Sequence, residues 1–522
     1  MAWIRISRFY HRGFFSKIEV SIPDYTLAHS PSEDLAMSTS EYAVVDVATI
    51  DRWDEEADVV LVGMGSAGSS AGIEAAEAGA RVLAIERASG PGGLTASAAG
   101  HLYLGGGTRV QKAVGIEDSV EDMYKYLLAN TPEPDEAKIR LYCDQSVAHF
   151  DWLVAKGVPF EDSYHREKNV VQMTSECLIE SGNEAAWPFY EQARPAARGH
   201  KVAMEGEAGG AKLIEVLVAH AAKQGVRIEC DARVTRLVRS GARIVGVRYR
   251  TAAGEKTARA RRAVILASGQ FGMNQALIDE RCPRLADERV EKQGGTFDDG
   301  VGHLLGEAAG GVCDHMDGAL LTSPFYPPEQ LIYGILVNKH GQRFINEDSY
   351  HSKTSISCTE QPDGVAYLIA DDSFFAQPLF QWQPLVDAWG TVVEMERDLG
   401  MPEGSLQKTL SDYNSFASKG DDPDFHKTAK WMKPLTHPPY AALDMSVGKA
   451  NYVGFPLGGL RVTIDAQVVR PDGSVIEGLY AAGGCASNIA QDGLGYSSGT
   501  CIGEGTFFGR RAGRHAANAP PV

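Results

Sequence analysis

The sequence predicts an α/β fold in which one parallel-sheet domain is interrupted by an inserted α+β domain and resumes near the C-terminus. Three observations carry this. Short Val-rich runs, Val59–Val62 and Val82–Ile85, bracket a small, Ala-rich stretch from Ser66 to Ala80, the pattern of a βαβ unit in a buried parallel sheet. Residues from about 321 to 449 change character, with more Pro, Trp and Tyr and less regular alternation. GLYAAGG at Gly478–Gly484, with the Gly-rich tail after it, restores the earlier character.

The chain has 522 residues, 44% hydrophobic and 23% charged, the composition of a soluble globular protein with two or three domains. A net charge of -18, with no basic stripe to offset it, repels a nucleic-acid backbone and excludes nucleic acid as a partner. The eight Cys include no C-x-x-C pair, which fits buried thiols in a reducing, cytoplasmic setting and no metal site. No apolar run approaches the roughly 20 residues that span a bilayer. Residues 1–50 read as an N-terminal extension, expected to be disordered. At its start, MAWIRISRFYHRGFF is basic and aromatic and lacks the apolar stretch of a signal peptide. The alternative there is a membrane-surface helix. The first part of the sheet domain is then expected over residues 51–320, the inserted domain over 321–449 and the second part over 450–522.

The elements follow in order. The acidic residues Asp54, Glu55, Glu56 and Asp58 read as a solvated lead-in to the first strand. After the βαβ unit, apolar residues recur at helical spacing between about Ser119 and Lys156 (Met123, Tyr126, Leu127; Val147, Phe150, Leu153, Val154). A helix is expected over Ala211–Gln224, a strand over Arg227–Cys230 and a two-stranded stretch over Val234–Arg250. AVILASGQFG, Ala263–Gly272, returns to a buried strand that ends in small residues.

Gly63, Gly65 and Gly68 form G-x-G-x-x-G between the first strand and its helix. Gly63 permits the tight turn, Gly65 lets backbone approach a pyrophosphate, and Gly68 lets the helix pack on the strand. The helix N-terminus at Ser66 and Ala67 presents N–H donors to phosphate. Glu86 ends the second strand, where a carboxylate accepts from ribose hydroxyls. Arg87, beside it, weakens the preference against a 2′-phosphate. Three further Gly-rich pieces, GPGGLTAS (Gly90–Ser97), AVILASGQFG and GLYAAGG, stand where a glutathione-reductase-type, Rossmann-like FAD-binding fold uses them. FAD is therefore expected, rather than a nicotinamide. The expected cofactor-binding set is Gly63, Gly65, Ser66, Ala67, Gly68, Glu86, Arg87, Gly93, Thr95, Ala96, Val234, Ala267, Gly269, Gly484, Gly499 and Thr500.

With these segments in place, the sequence resembles the FAD-dependent fumarate reductase and 3-ketosteroid dehydrogenase group. The resemblance covers nearly all of Ala57–Ala517 and rests on the opening glycine turn, GGLTASAAG, GQRFINED, PLGGLRV and GLYAAGG, in that order. It implies a discontinuous FAD domain, a capping and catalytic domain inserted at 321–449, and substrate held against the flavin where the two meet. His101 lies near the covalent attachment site of succinate-dehydrogenase relatives but out of register, so the FAD is expected to be non-covalent. Fumarate reductases carry an arginine acid five residues after the Asn of R-F-x-N-E; in RFINEDSYHSK that position is His351, preceded by Tyr350. The acid a dicarboxylate needs is absent. GLGYSSGTCIGEG places Tyr496 and Ser498 at a Gly-rich turn leading into a helix. A tyrosine in each segment is similar to the ketosteroid dehydrogenases, and the Y-x-S spacing most resembles the Δ4-(5α) branch.

The implied activity is an FAD-dependent 3-ketosteroid dehydrogenase acting on CH–CH groups. Its reaction is Δ4-dehydrogenation of a 5α-3-ketosteroid, with proton abstraction at C4, hydride passing from C5 to FAD N5, and electrons leaving to an unidentified acceptor. The alternatives are Δ1-dehydrogenation, an enoate reductase of the fumarate-reductase kind, or a non-catalytic, redox-sensing flavoprotein. A phenol with an ordinary pKa of about 10 needs neighbouring donors or a helix dipole to act as a base near neutral pH. The catalytic assignment is Ser498 with Tyr496 as the base unit and Tyr350 as relay. Tyr496 and Ser498 otherwise only hydrogen-bond the flavin, Tyr350 is a packed aromatic of the cap, and His351 is a polar loop residue. The helix after Gly499 offers N–H groups to the flavin C2 carbonyl or to the substrate C3 oxygen. Tyr103 and Tyr326 are the expected substrate contacts, with Phe325, Trp382 and Phe455 as further walls or core.

Overall fold

The structure is a computed structural model that describes residues 42–522; the part of the expected extension over residues 1–41 lies outside the described residues. Residues 43–49, expected to be disordered, instead form strand β1 (Ala43–Asp46) and a 3-10 turn (Val47–Thr49). Tyr42 is buried beside them, and the run AVV supplies β-branched side chains to a sheet edge. Four residues are too few to show periodicity, so only the neighbouring strand reveals them.

β2 spans Glu55–Val62, α1 Ser66–Glu77 and β3 Val82–Ile85. From Glu55 on, the acidic lead-in belongs to β2, where basic neighbours accept it: Glu55 pairs with Arg227 at 2.8 Å, and Glu56 lies 3.5 Å from both Arg259 and Arg261. The helical region divides into α2 (Val120–Asn130), capped by Ser119, and α3 (Glu136–Ala155), capped by Asp135. Pro132 and Pro134 interrupt it, since proline lacks an N–H and pushes the residue before it out of the helical region. α4 (Gly209–Lys223) leads to β4 (Arg227–Glu229), β5 (Arg233–Ser240), β6 (Arg243–Thr251) and the long β7 (Gly254–Leu266). Within the inserted stretch lies α5 (His351–Thr359); β8 (Val475–Ala481) and α6 (Thr500–Asn518) close the chain.

These strands make one sheet in the order β1-β5-β6-β7-β2-β3-β4, with β8 on the far part of β7. β7, β2, β3, β4 and β8 run parallel where they pair, so Val62, Ile85, Leu266 and Ala481 all end at one edge. Each is followed there by one of the glycine turns or by Glu86, the side of an open α/β sheet where ligands bind. α1 and α6 pack backbone to backbone. A Cβ at Gly509 would sit 2.4 Å from Ala67 O, and one at Gly513 2.1 Å from Ala71 O.

A four-stranded antiparallel sheet, in the order Ile335–Asn338, Ala366–Asp371, Tyr440–Asp444, Leu385–Trp389, occupies the inserted stretch. It carries its own core, including Ile335, Ile369, Leu406 and Tyr413. The chain enters through Ala319–Thr322 and returns through Tyr452–Pro456, which pair antiparallel. Among the described residues no helix is long and apolar enough to cross a membrane.

Candidate functional site

A cavity of about 1280 Å³ opens along the edge where the parallel strands end and runs beneath the inserted segment. Gly63, Gly65, Ser66, Ala67, Glu86, Arg87, Gly93, Thr95, Ala96, Val234, Ala267, Gly269, Gly484 and Gly499 line it, and so do Tyr350, Tyr496 and Ser498. Four expected site residues do not. Gly68 packs behind the turn, where a Cβ would meet Gly63 O at 2.2 Å. Thr500 opens α6 and turns its hydroxyl back to donate to Ser497 O at 2.8 Å.

Tyr103 is fully buried, and its hydroxyl donates to Glu184 Oε1 at 2.7 Å, beside the Arg198–Asp118 ion pair. A short strand between Gly100 and Leu104 turns that phenol into a polar core behind the wall. Tyr326 is also buried, edge-on to Phe325 and 6.5 Å from the His351 ring. Both expected substrate contacts are thus core residues, as is Phe325, whereas Trp382 and Phe455 line the cavity. An aromatic near a pocket in sequence does not reveal which side of the wall it takes.

The end of the cavity at the glycine turn fits the pyrophosphate and ribose of a dinucleotide. Gly63 has φ +95°, and a Cβ there would stand 2.5 Å from Ala267 O. The N-cap of α1 is Gly65, with no side chain to satisfy the first-turn N–H groups of Ser66 and Ala67, which line the cavity. Ser66 and Thr95 hydroxyls meet at 3.1 Å across the same wall. Glu86 is held by two backbone donors, Met64 N–H to Oε2 at 2.8 Å and Ala88 N–H to Oε1 at 2.9 Å. Its remaining lone pairs are free to accept from a ribose. Arg87 and Arg233 both lie beside Asp299 here.

The other end is apolar, with a few polar groups gathered together. Tyr350, the N-cap of α5, and Ser498, just before α6, share a hydrogen bond of 2.7 Å between their hydroxyls. The Tyr496 ring lies 6.4 Å from that of Tyr350, and its oxygen accepts from Cys501 N–H in the first turn of α6 at 3.4 Å. The expected pairing of Ser498 with Tyr496 is therefore corrected: Tyr350 is the partner of Ser498. Tyr496 turns its oxygen to the first turn of α6, and Tyr350, from another element, meets Ser498 instead. Leu320, Leu457, Ala490 and Phe455 surround the group. Burial pushes both phenols above their ordinary value; the Ser498 bond lowers Tyr350, and the Cys501 N–H lowers Tyr496. His351 packs against the Tyr350 ring at 4.0 Å, its Nδ1 2.6 Å from Thr322 Oγ1. Burial and the nearby Lys168 push it down to about 3, so its imidazole is neutral and holds no proton to give as an acid.

Glu504 escaped the sequence reading. It lines the cavity from the second turn of α6, and its Oε2 accepts from Ile489 N–H at 2.7 Å and Ala490 N–H at 3.0 Å. Burial raises it to about 7. The available signal was a lone acid amid the small residues of GTCIGEGTF.

The chain matches the FAD binding domain family over residues 58–500. It belongs to that family. The crystal structure of 3-ketosteroid-Δ4-(5α)-dehydrogenase from Rhodococcus jostii RHA1, in complex with 4-androstene-3,17-dione, superposes with a TM-score of 0.85. It is 42% identical and covers 91% of this chain and 99% of its own. A 3-oxo-5-alpha-steroid 4-dehydrogenase of Comamonas testosteroni is 28% identical, covering 84% of this chain and 95% of its own. A cytochrome-type fumarate reductase of Shewanella frigidimarina is also 28% identical, covering 88% of this chain and 77% of its own. The chain is an FAD-dependent oxidoreductase, with the mixed α/β flavoprotein fold of these relatives and FAD as its cofactor.

Proposed function

We propose that this flavoprotein introduces a C4=C5 double bond into 5α-3-ketosteroids. The observation that carries the reading is the 2.7 Å contact between Tyr350 and Ser498 hydroxyls, beside Tyr496, in an otherwise apolar chamber. Among the described residues, the guanidinium groups on the cavity wall are those of Arg87 and Arg233, both at the nucleotide end. A dicarboxylate would find no such cation beside the tyrosines. A rigid, apolar ketone suits walls made of Leu320, Trp382, Phe455 and Leu457, and the similarity to two steroid dehydrogenases points the same way. The eight cysteines, all unpaired, suit a reducing cytoplasm.

The FAD-binding groups are those of the glycine turns and Glu86; bound there, FAD supplies the acceptor for the C5 hydride. With Tyr350 deprotonated, Ser498 Oγ takes the C4 proton as it passes its own to the Tyr350 phenolate along their hydrogen bond, so the phenol ends neutral and no isolated serine alkoxide has to form. Tyr496 Oη, polarised by the N-terminus of α6, donates to the C3 oxygen as negative charge grows on it. The packed aromatic and aliphatic walls exclude water and hold the ring system in one orientation.

Anaerobic titration tests the reading. A 5α-3-ketosteroid is expected to bleach the flavin and yield the conjugated 4-en-3-one, while fumarate with a reducing dye does not reoxidise the flavin at catalytic rates. Turnover of fumarate, or bleaching that yields a Δ1 product, would refute it.

A further inference from the structure

The two members of the hydroxyl pair lie 148 residues apart in sequence, so nothing local sets their spacing. Both are tied to one three-residue segment. Ser498 N–H donates to Ser181 O at 2.7 Å, and Tyr350 N–H donates to Asn183 Oδ1 at 2.7 Å. Tyr350 is the N-cap of α5, so its N–H has no acceptor within the helix and depends on that side chain. Gly182, between the two anchors, leaves space for a hydrogen only. A Cβ there would stand 2.3 Å from Ser497 Oγ and 2.5 Å from Tyr126 Oη.

Asn183 is fully buried and spends its other polar groups on the same loop. Its N–H donates to Tyr126 Oη at 2.8 Å, and Tyr126 Oη shares a 2.9 Å bond with Ser497 Oγ. Its Nδ2 donates to Asn130 Oδ1 at 3.2 Å, and Asn130 Nδ2 donates to Gly495 O at 2.5 Å. The loop that carries Tyr496 and Ser498 is thus held at Gly495, Ser497 and Ser498, all through residues 181–183 and their partners on α2. We propose that Ser181–Gly182–Asn183 is the template that sets the Tyr350–Ser498 distance, and that Asn183 is a positioning residue for proton removal. This rests on the steroid reading above. Asn183 touches no reacting atom; it acts through the backbone of Tyr350 and the 495–498 loop. A displacement of about 1 Å in a reacting group costs up to about a hundredfold in rate, which is the lever such a template controls.

The FAD-loaded Asn183→Ala enzyme tests this against wild type on a 5α-3-ketosteroid. The expected result is a kcat lower by about 10- to 100-fold, a KM within about threefold and an unchanged bound-flavin spectrum. The ascending limb of the kcat–pH profile should also move to higher pH, because the Tyr350 phenol loses the Ser498 bond that lowers it. If Asn183→Ala does not retain FAD, Asn130→Ala, which releases Gly495 O and Asn183 Nδ2 but leaves the Asn183–Tyr350 bond in place, is read by the same criteria. A kcat within about twofold of wild type, or a fall that leaves the pH limb in place, overturns the template. Wild-type flavin that the steroid fails to bleach would instead sink the steroid reading, so the two failures are distinguishable.

Discussion

Tyr350 and Ser498 pose an electrostatic problem that their contact partly answers. A buried phenol resists ionising, and burial is the largest influence on Tyr350. The Ser498 hydroxyl opposes it without reversing it, so the pair proposed as the base loses its proton mainly on the alkaline side. Since the base works only without its proton, kcat on a 5α-3-ketosteroid should climb as pH rises from neutrality; a flat profile from pH 7 to 10 would place the base elsewhere. Ser498→Ala and Tyr350→Phe should keep yellow FAD while kcat falls at least about a hundredfold, the usual scale of acid–base catalysis. Tyr496→Phe removes the donor at the C3 oxygen, and a loss of comparable size is expected there. Stopped-flow flavin reduction would separate these losses from any change in reoxidation.

At the scale of elements, the site depends on two helices meeting at the sheet edge. α1 points its uncapped N-terminus into the glycine-turn end of the cavity, and α6 points its own at Tyr496 at the apolar end. They can lie that close because the contact is Ala67 and Ala71 against Gly509 and Gly513. Gly513→Ala puts a methyl 2.1 Å from Ala71 O, so the helices must part. A stability loss of about 1–3 kcal/mol, read as a lower Tm, is expected together with weaker FAD retention. α6 also carries Glu504. The folded chain holds that carboxyl's proton to about pH 7, whereas the group's ordinary value is 4.5. Between those values the folded state binds more protons than the unfolded state, so stability falls as pH rises through the window. The fall is of order 3 kcal/mol in all. Glu504→Gln should flatten this part of the Tm–pH curve, and identical curves for the two proteins would count against it.

At the scale of the whole molecule, the cavity wall proposed to hold FAD is gathered from the turn after β2, the loop after β3, the start of β5, the turn after β7 and the segment between β8 and α6. Such a site does not exist in the unfolded chain, so FAD stabilises only the native state, by about 4 kcal/mol at a thousandfold excess over its Kd. Stripping FAD should lower Tm and raise amide exchange at Gly90–Ser97 and Gly483–Glu504; an unchanged Tm would mean that the cavity is not the cofactor site. The inserted segment closes the far side with Leu379, Phe380 and Trp382, and Leu379 is half exposed at the rim. Leu379→Glu should raise KM for the steroid several-fold while leaving flavin content unchanged.

The βαβ unit, its glycine turn and Glu86 were legible in the residues, because strand and helix periodicity and backbone clearance are local properties. The family motifs likewise pointed to Tyr350, Tyr496, Ser498 and most of the glycine-turn residues that line the cavity, since each rests on a short, ordered run. Strand β1 was not legible, for its four residues become a strand only beside β5. Nor was the inward turn of Tyr103 and Tyr326, which depends on what packs behind each ring. The partner of Ser498, expected to be Tyr496, was misread, and Glu504 and the Asn183 contacts went unread. Hydrogen bonds between segments more than a hundred residues apart leave no period or spacing in a sequence. By itself the sequence determined a flavin-binding α/β chain and named the hydroxyls that gather at the apolar end of its cavity; which hydroxyl meets which was decided only when tertiary packing brought α5, α6 and residues 181–183 together.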